Sequence, residues 1–212
     1  MSNTQQEQFW SSKFGHEYTE RNKWDNDEEW DKTYCETWGM TKLEINDKVL
    51  KDLPRDIRIL EVGCNYGVQL RGFQRMGFRN LYGVELQEYA VEESKKAFSG
   101  LNIITGSGFD LPFKNNFFDL VCTNGVLIHI SPADHHSFMA EIDRCSRRYI
   151  MGWEYYSDHI EELNYRDNKG YMWKADYAAI YKNYFPDLEI KEKHFIKYSR
   201  NDNVDAIFLL EK

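Results

Sequence analysis

Residues 57–67 read IRILEVGCNYG, an apolar, β-branched run that ends in an acid and passes into a glycine-bracketed turn. At 81–86, LYGVEL gives a second short apolar run, closing on Glu85 and Leu86. The pair describes the ligand end of an open α/β sheet. The first strand, ending at Glu61, delivers a turn in which a ligand can lie against bare backbone. The second delivers a carboxylate set to accept hydrogen bonds from both hydroxyls of a ribose. Gly63 and Gly67 allow the bend and the close approach, and Asn65 tolerates the left-handed region better than most residues. The spacing is not the G-x-G-x-x-G that cradles a pyrophosphate, which disfavours a nicotinamide-dependent oxidoreductase.

Outward from this turn, apolar runs alternate with helical periods. Strands are expected at 58–62, 81–86, 102–105, 119–123 and 149–153, with helices at 68–76, 88–98 and 132–145. The last helix has Ser131 as a natural N-cap, Pro132 at its first position and Asp134 in its first turn. Such alternation implies right-handed crossovers and parallel strands. An irregular polar-aromatic insertion follows between Trp153 and Lys174, then a helix at 174–184. Two alternating runs at 188–198 and 205–211 read as a closing antiparallel pair. The expected fold is therefore α/β, Rossmann-like and doubly wound, with a seven-stranded, mainly parallel sheet ending in an antiparallel hairpin. Residues 1–53, helical, polar and aromatic, are expected to form a lid belonging to the same domain as 54–212.

Composition sets the outer bounds. A chain of 212 residues fits one domain with a full core. A net charge of −8 argues against a nucleic-acid partner. No apolar stretch approaches the ~20 residues needed to cross a bilayer, and MSNTQQEQFW lacks the basic-then-apolar order of a secretory signal. Cys35, Cys64, Cys122 and Cys145 show no metal-type spacing. These features suggest a cytoplasmic protein with reduced thiols, a small-molecule substrate, and neither nucleic acid nor membrane as partner. The oligomeric state is not legible.

Four further segments carry chemistry. TGSGFDLPF at 105–113 is a loop after the third strand, and FFDLVCTNGVLIHI at 117–130 leads into a turn at Asn124 and Gly125. That turn falls where the strand order reverses, and His129 just beyond it is a candidate general base. Glu154 and Tyr155 leave the fifth strand toward the acceptor side, with Arg166, Lys169 and Lys174 adding positive charge. FWSSKFGHEYTERN at 9–22 is too aromatic for a tail; it reads as an amphipathic lid or as packing on the sheet flank.

Together these segments resemble the class I S-adenosylmethionine-dependent methyltransferases. FGHEYTERN, LEVGCNYG, GVLIHISP, RCSRRYIMGWEYY and YRDNKGYMWKADYA narrow the resemblance to the pseudaminic acid biosynthesis-associated methylase family. The resemblance implies S-adenosyl-L-methionine as cofactor. In the third-strand loop, Ser107 stands where the family usually has an aspartate holding the adenine amino group, leaving Ser107, the Gly108 backbone and the Phe109 ring as the matching contacts. The expected cofactor site is Tyr18, Arg21, Glu61, Gly63, Asn65, Glu85, Leu86, Ser107, Gly108, Phe109 and Asn124. The expected catalytic set is His129, Glu154 and Tyr155, with no metal. The implied reaction is methyl transfer to oxygen or nitrogen of an amino-sugar, sugar-nucleotide or related anionic precursor of a bacterial surface glycan. Another small-metabolite acceptor, or a non-catalytic S-adenosylmethionine-binding protein, is the alternative.

Overall fold

The computed structural model of the chain describes residues 4–24 and 26–212. The first half of its sheet contains β1 (Arg58–Val62), β2 (Asn80–Glu85), β3 (Asn102–Thr105) and β4 (Phe118–Asn124). Then come β5 (Ser146–Tyr155), the short β6 (Glu161–Glu162) and β7 (Trp173–Lys174), β8 (Glu189–Lys197) and β9 (Val204–Glu211). Seven of them form one sheet in the order β3-β2-β1-β4-β5-β9-β8. Strands β1 to β5 pair in parallel, while β9 lies antiparallel to both β5 and β8. This is the Rossmann-like, doubly wound arrangement that the alternation implied. The chain steps outward from β1 to β2 and β3, then returns to place β4 on the other side of β1. The gap between the carboxyl ends of β1 and β4 is thus the topological switch point, where open α/β sheets bind ligands.

Helices cover both faces. α5 (Val68–Arg75) and α6 (Glu88–Ala97) follow β1 and β2, α7 (His135–Cys145) follows β4, and α8 (Tyr177–Tyr184) follows the insertion. Two helix positions differ from expectation. Helix α7 begins three residues late, because the Asp134 N–H closes a turn on the Ser131 carbonyl at 2.8 Å before the helix can start. Helix α8 begins at Tyr177, where the Asp176 side chain caps the Ala179 N–H at 3.1 Å. Trp173 and Lys174 pair instead with Glu162 and Glu161, so a two-stranded ribbon stiffens the insertion.

The N-terminal residues divide in two. α3 (Asp27–Trp38) and α4 (Lys42–Leu50) pack on one face of the sheet, burying Trp30, Ile45 and Leu50 with Leu70 and Phe73 of α5. Ion pairs from Arg71 to Asp27 at 2.7 Å and from Arg75 to Asp31 at 2.5 Å fasten α3 to α5. α1 (Gln5–Trp10) and α2 (Lys13–Arg21) lie instead across the carboxyl ends of the central strands. Thus 27–50 mainly completes the core, and 5–21 roofs the sheet edge. Among the described residues no helix is long and apolar enough to cross a membrane.

Candidate functional site

A cleft lies between the strand ends and this roof. Its floor is the turn after β1. Gly63 and Cys64 both donate their N–H groups to the Val84 carbonyl, at 2.8 and 3.2 Å, which ties the turn to β2. Gly63, Asn65 and Gly67 have φ of 71°, 48° and 94°, in the left-handed region. A Cβ at Gly63 would stand 2.7 Å from Val126, so glycine is required there for packing as well as for conformation.

Glu85, at the end of β2, is held by the backbone. One carboxylate oxygen accepts the Asn65 N–H at 2.8 Å and the other accepts the Gln87 N–H at 2.9 Å. The Leu86 N–H is a third backbone donor to the group, which keeps acceptor capacity for a ligand hydroxyl. Burial raises its pKa, and the backbone donors oppose that rise. Glu61, at the end of β1, is 2% exposed, and its Oε2 has no hydrogen-bond partner among the described residues. Burial pushes its carboxyl well above the usual range, with the nearby Lys42 charge opposing the shift. An unpaired buried carboxylate oxygen at a cleft wall is costly alone and suits a cationic ligand group.

Asn124, at the end of β4, is steadied from behind. The Lys42 ammonium, 1% exposed, donates to Asn124 Oδ1 at 2.9 Å and sits 3.6 Å from the Trp153 ring centroid. Asp205 completes this interior network by accepting from the indole N–H groups of Trp38 and Trp153, at 3.0 and 2.9 Å. Burial pushes the Asp205 pKa up to about 6.

His129 ends a one-turn 3-10 segment, Leu127–His129, that enters the cleft. Its Nδ1 lies 2.7 Å from the Tyr171 carbonyl oxygen, which can only accept. The hydrogen is therefore on Nδ1, and Nε2 carries a free lone pair. Burial pushes its pKa down to about 4, so the ring is neutral at ordinary pH. Rings surround it: Trp10 at 4.6 Å and Tyr165 at 4.9 Å between centroids. Phe9 stacks on Tyr171 at 4.1 Å, and Trp10 meets Tyr18 edge-on at 5.2 Å. Gln87 donates to the Trp10 and Ser12 carbonyls at 2.5 and 2.9 Å, latching this aromatic roof to the end of β2. Burial raises the Tyr18 phenol to about 12.

The cleft brings together Tyr18, Glu61, Gly63, Asn65, Glu85, Leu86, Gly108, Phe109, Asn124 and His129 from the expected set. Arg21, Ser107, Glu154 and Tyr155 are not in its lining. Arg21 lies over the outer ring of Phe14, 5.7 Å away. Ser107 donates its hydroxyl to Glu7 at 2.5 Å and accepts the Phe109 N–H at 3.0 Å. Glu154 is 2% exposed and accepts from the backbone N–H groups of Val126 and Ile128, at 3.3 and 3.4 Å. It underpins the turn that carries His129, and burial raises its pKa to about 7. Tyr155 packs on Tyr198 with centroids 5.5 Å apart. Sequence reading missed Glu7 and Gln87 in the lining and Lys42 behind it. No metal-type spacing marks the chain, and among the described residues no His, Cys, Asp and Glu side chains gather to hold a metal ion.

Residues 60–149 match the family described as a methyltransferase domain. No curated protein matches the chain. Among solved structures, the PH0226 protein of Pyrococcus horikoshii OT3 superposes with a TM-score of 0.63 at 13% identity, over 88% of this chain and 92% of that one. A chain of the Haloferax volcanii complex between the Trm112 methyltransferase activator and a methyltransferase gives a TM-score of 0.66 at 15% identity, over 91% and 94%. The 1,6-didemethyltoxoflavin-N1-methyltransferase of Burkholderia thailandensis, solved with its substrate and S-adenosylhomocysteine, gives 0.65 at 15% identity, over 80% and 76%.

Proposed function

We propose that this chain, an S-adenosylmethionine-dependent methyltransferase, methylates oxygen or nitrogen of a small anionic acceptor delivered under the aromatic roof. The acceptor we infer is an amino-sugar, sugar-nucleotide or related precursor of a bacterial surface glycan, handled in the cytoplasm. The observation that carries the reading is the gathering of three complementary groups in one cleft. Glu85, fixed by backbone donors, offers its remaining acceptor capacity to a ribose, Glu61 offers an unpaired oxygen for an ammonium, and His129 presents a bare Nε2. In this reading Glu85 holds the ribose, Gly63 and Asn65 line its backbone floor, and Leu86, Gly108 and Phe109 flank the base. Glu61 takes the amino group, while Tyr18 and Asn124 border the methionine end. Arg21 attracts the carboxylate at the mouth.

The cofactor supplies an electrophilic methyl group on a sulfonium. Transfer breaks the carbon–sulfur bond and forms a carbon–oxygen or carbon–nitrogen bond in line with it. The departing thioether is neutral and needs no acid. The chain's own work is to align the acceptor and exclude water, which the roof of Trp10, Phe14 and Tyr18 does. The acceptor's proton passes to His129 Nε2, whose ring is oriented by the Tyr171 carbonyl. Glu154 acts through this turn as a positioning residue, and Tyr155 packs on Tyr198 outside the cleft.

Charge at the mouth supports an anionic acceptor. Arg166 and Asp167 hold left-handed φ values of 48° and 65° in a tight turn that follows Tyr165. The Tyr165 ring meets Phe14 at 5.7 Å, with Arg21 on that same Phe14 ring. The Arg166 side chain hydrogen-bonds Tyr165, so two guanidinium groups belong to one aromatic edge of a chain with net charge −8. The glycan assignment draws on the resemblance of the 144–178 blocks. The cytoplasmic one draws on four unpaired cysteines. Screening the purified chain with labelled S-adenosylmethionine against sugar-nucleotides, amino-sugars and small carboxylates, with mass spectrometry of the products, tests the acceptor assignment. An anionic sugar is expected to be methylated, and Arg166→Ala is expected to raise its KM about tenfold at constant cofactor affinity. Methylation confined to neutral or cationic acceptors would contradict the proposal.

A further inference from the structure

The cleft places a third carboxylate where the base of the cofactor belongs, on a helix rather than on the sheet. With the ribose held by Glu85 at the end of β2, the sheet order puts the base over the next strand end, that of β3. There the cleft is lined by Gly106, Gly108 and Phe109. An adenine edge presents an amino donor, which needs an acceptor once water is excluded. The loop has one hydroxyl to offer, and it is already engaged: Ser107 donates to Glu7 Oε1 at 2.5 Å and accepts the Phe109 N–H at 3.0 Å.

Glu7, by contrast, lines the cleft and retains capacity. Its Oε2 accepts the Thr4 N–H at 2.8 Å and the Thr4 hydroxyl at 3.2 Å, the reciprocal half of the capping box that starts α1. Among the described residues its Oε1 accepts only from Ser107, which leaves it a lone pair. Three acids line the cleft among the described residues, Glu7, Glu61 and Glu85, and the other two serve the amino-acid and ribose ends. The Thr4 and Ser107 bonds fix the Glu7 carboxylate from both sides, so no side-chain freedom remains to be lost when a ligand binds.

We propose that Glu7 accepts the hydrogen bond from the adenine amino group, making the first helix, with Ser107 as its positioning residue, the source of base selectivity. The inference rests on S-adenosylmethionine occupying this cleft. It also makes the roof and the cofactor mutually stabilising, since α1 meets the base directly.

Isothermal titration of the full chain with S-adenosylhomocysteine and with S-inosylhomocysteine, whose base has a 6-oxo group in place of the amino group, tests it. The wild type is expected to prefer the adenine compound about tenfold or more, because the 6-oxo group would face a carboxylate. Glu7→Gln offers an amide that can donate to the oxo group, so the preference is expected to shrink to about threefold or to invert. Ser107→Ala, which leaves the carboxylate but frees it, is expected to give an intermediate ratio and serves if Glu7→Gln fails to fold. Glu85→Ala is expected to weaken both ligands alike. An unchanged preference in folded Glu7→Gln, or in Ser107→Ala should the first variant not fold, overturns the assignment while leaving the cofactor reading intact. Failure of the wild type to bind S-adenosylhomocysteine at all would remove both readings.

Discussion

Glu85→Ala is expected to weaken S-adenosylmethionine binding by tenfold or more, with the fold retained. The wild-type carboxylate is fastened by the Asn65 and Gln87 N–H groups, so its remaining acceptor capacity is held at the cleft in a fixed geometry. Charge-assisted hydrogen bonds contribute about 1.5–3 kcal/mol each, and a tenfold change in affinity corresponds to about 1.4 kcal/mol. Removing the group deletes at least one such bond. It also frees the turn at 63–65, so the measured loss should lie above tenfold rather than near it. Titration calorimetry beside circular dichroism checks this, and an unchanged Kd in a folded variant would take the ribose away from Glu85.

His129→Ala is expected to lower kcat about 100-fold or more for a hydroxyl acceptor while leaving cofactor affinity within about twofold, the pattern of a lost proton acceptor. The ring is neutral because burial holds its pKa down to about 4. The sign follows: protonation that disables the base sets in only toward the folded pKa as pH falls. The kcat/KM profile should therefore be flat from about pH 6 upward as far as this residue is concerned. A limb near pH ~6.5 that disappears in His129→Ala would show an ordinary, exposed histidine and contradict the buried geometry. Wild-type kcat in His129→Ala would remove it as the base.

Why these two residues were visible in the sequence while others were not has a physical origin. The runs at 58–62 and 102–105 coincide with strands because β-branched residues flanked by glycine, asparagine and charge leave little choice of period. Glu85 and the 63–67 turn sit at strand ends, where function and backbone geometry share one short segment. Lys42 was not legible, since a lysine at the first position of a polar helix reads as solvated. Only the tertiary packing of α4 against Trp153 buries it.

Glu154 misled for a related reason. Central strand β5 is buried along most of its outer half, so neighbouring residues on opposite faces are both enclosed, and an acid there need not reach a cleft. Glu7 lies in a segment whose local signal is a capping box. Its second contact, with Ser107, spans 100 residues and exists only once α1 crosses the sheet edge.

The most direct measurement is a crystal structure of the chain with S-adenosylhomocysteine. Both sugar hydroxyls should lie within about 3 Å of the Glu85 carboxylate, with the base against Phe109 and the amino group toward Glu61. Density for the ligand outside the space between α1, α2 and the β1 turn, or a Glu85 side chain turned away from the sugar, would contradict the site assigned to it.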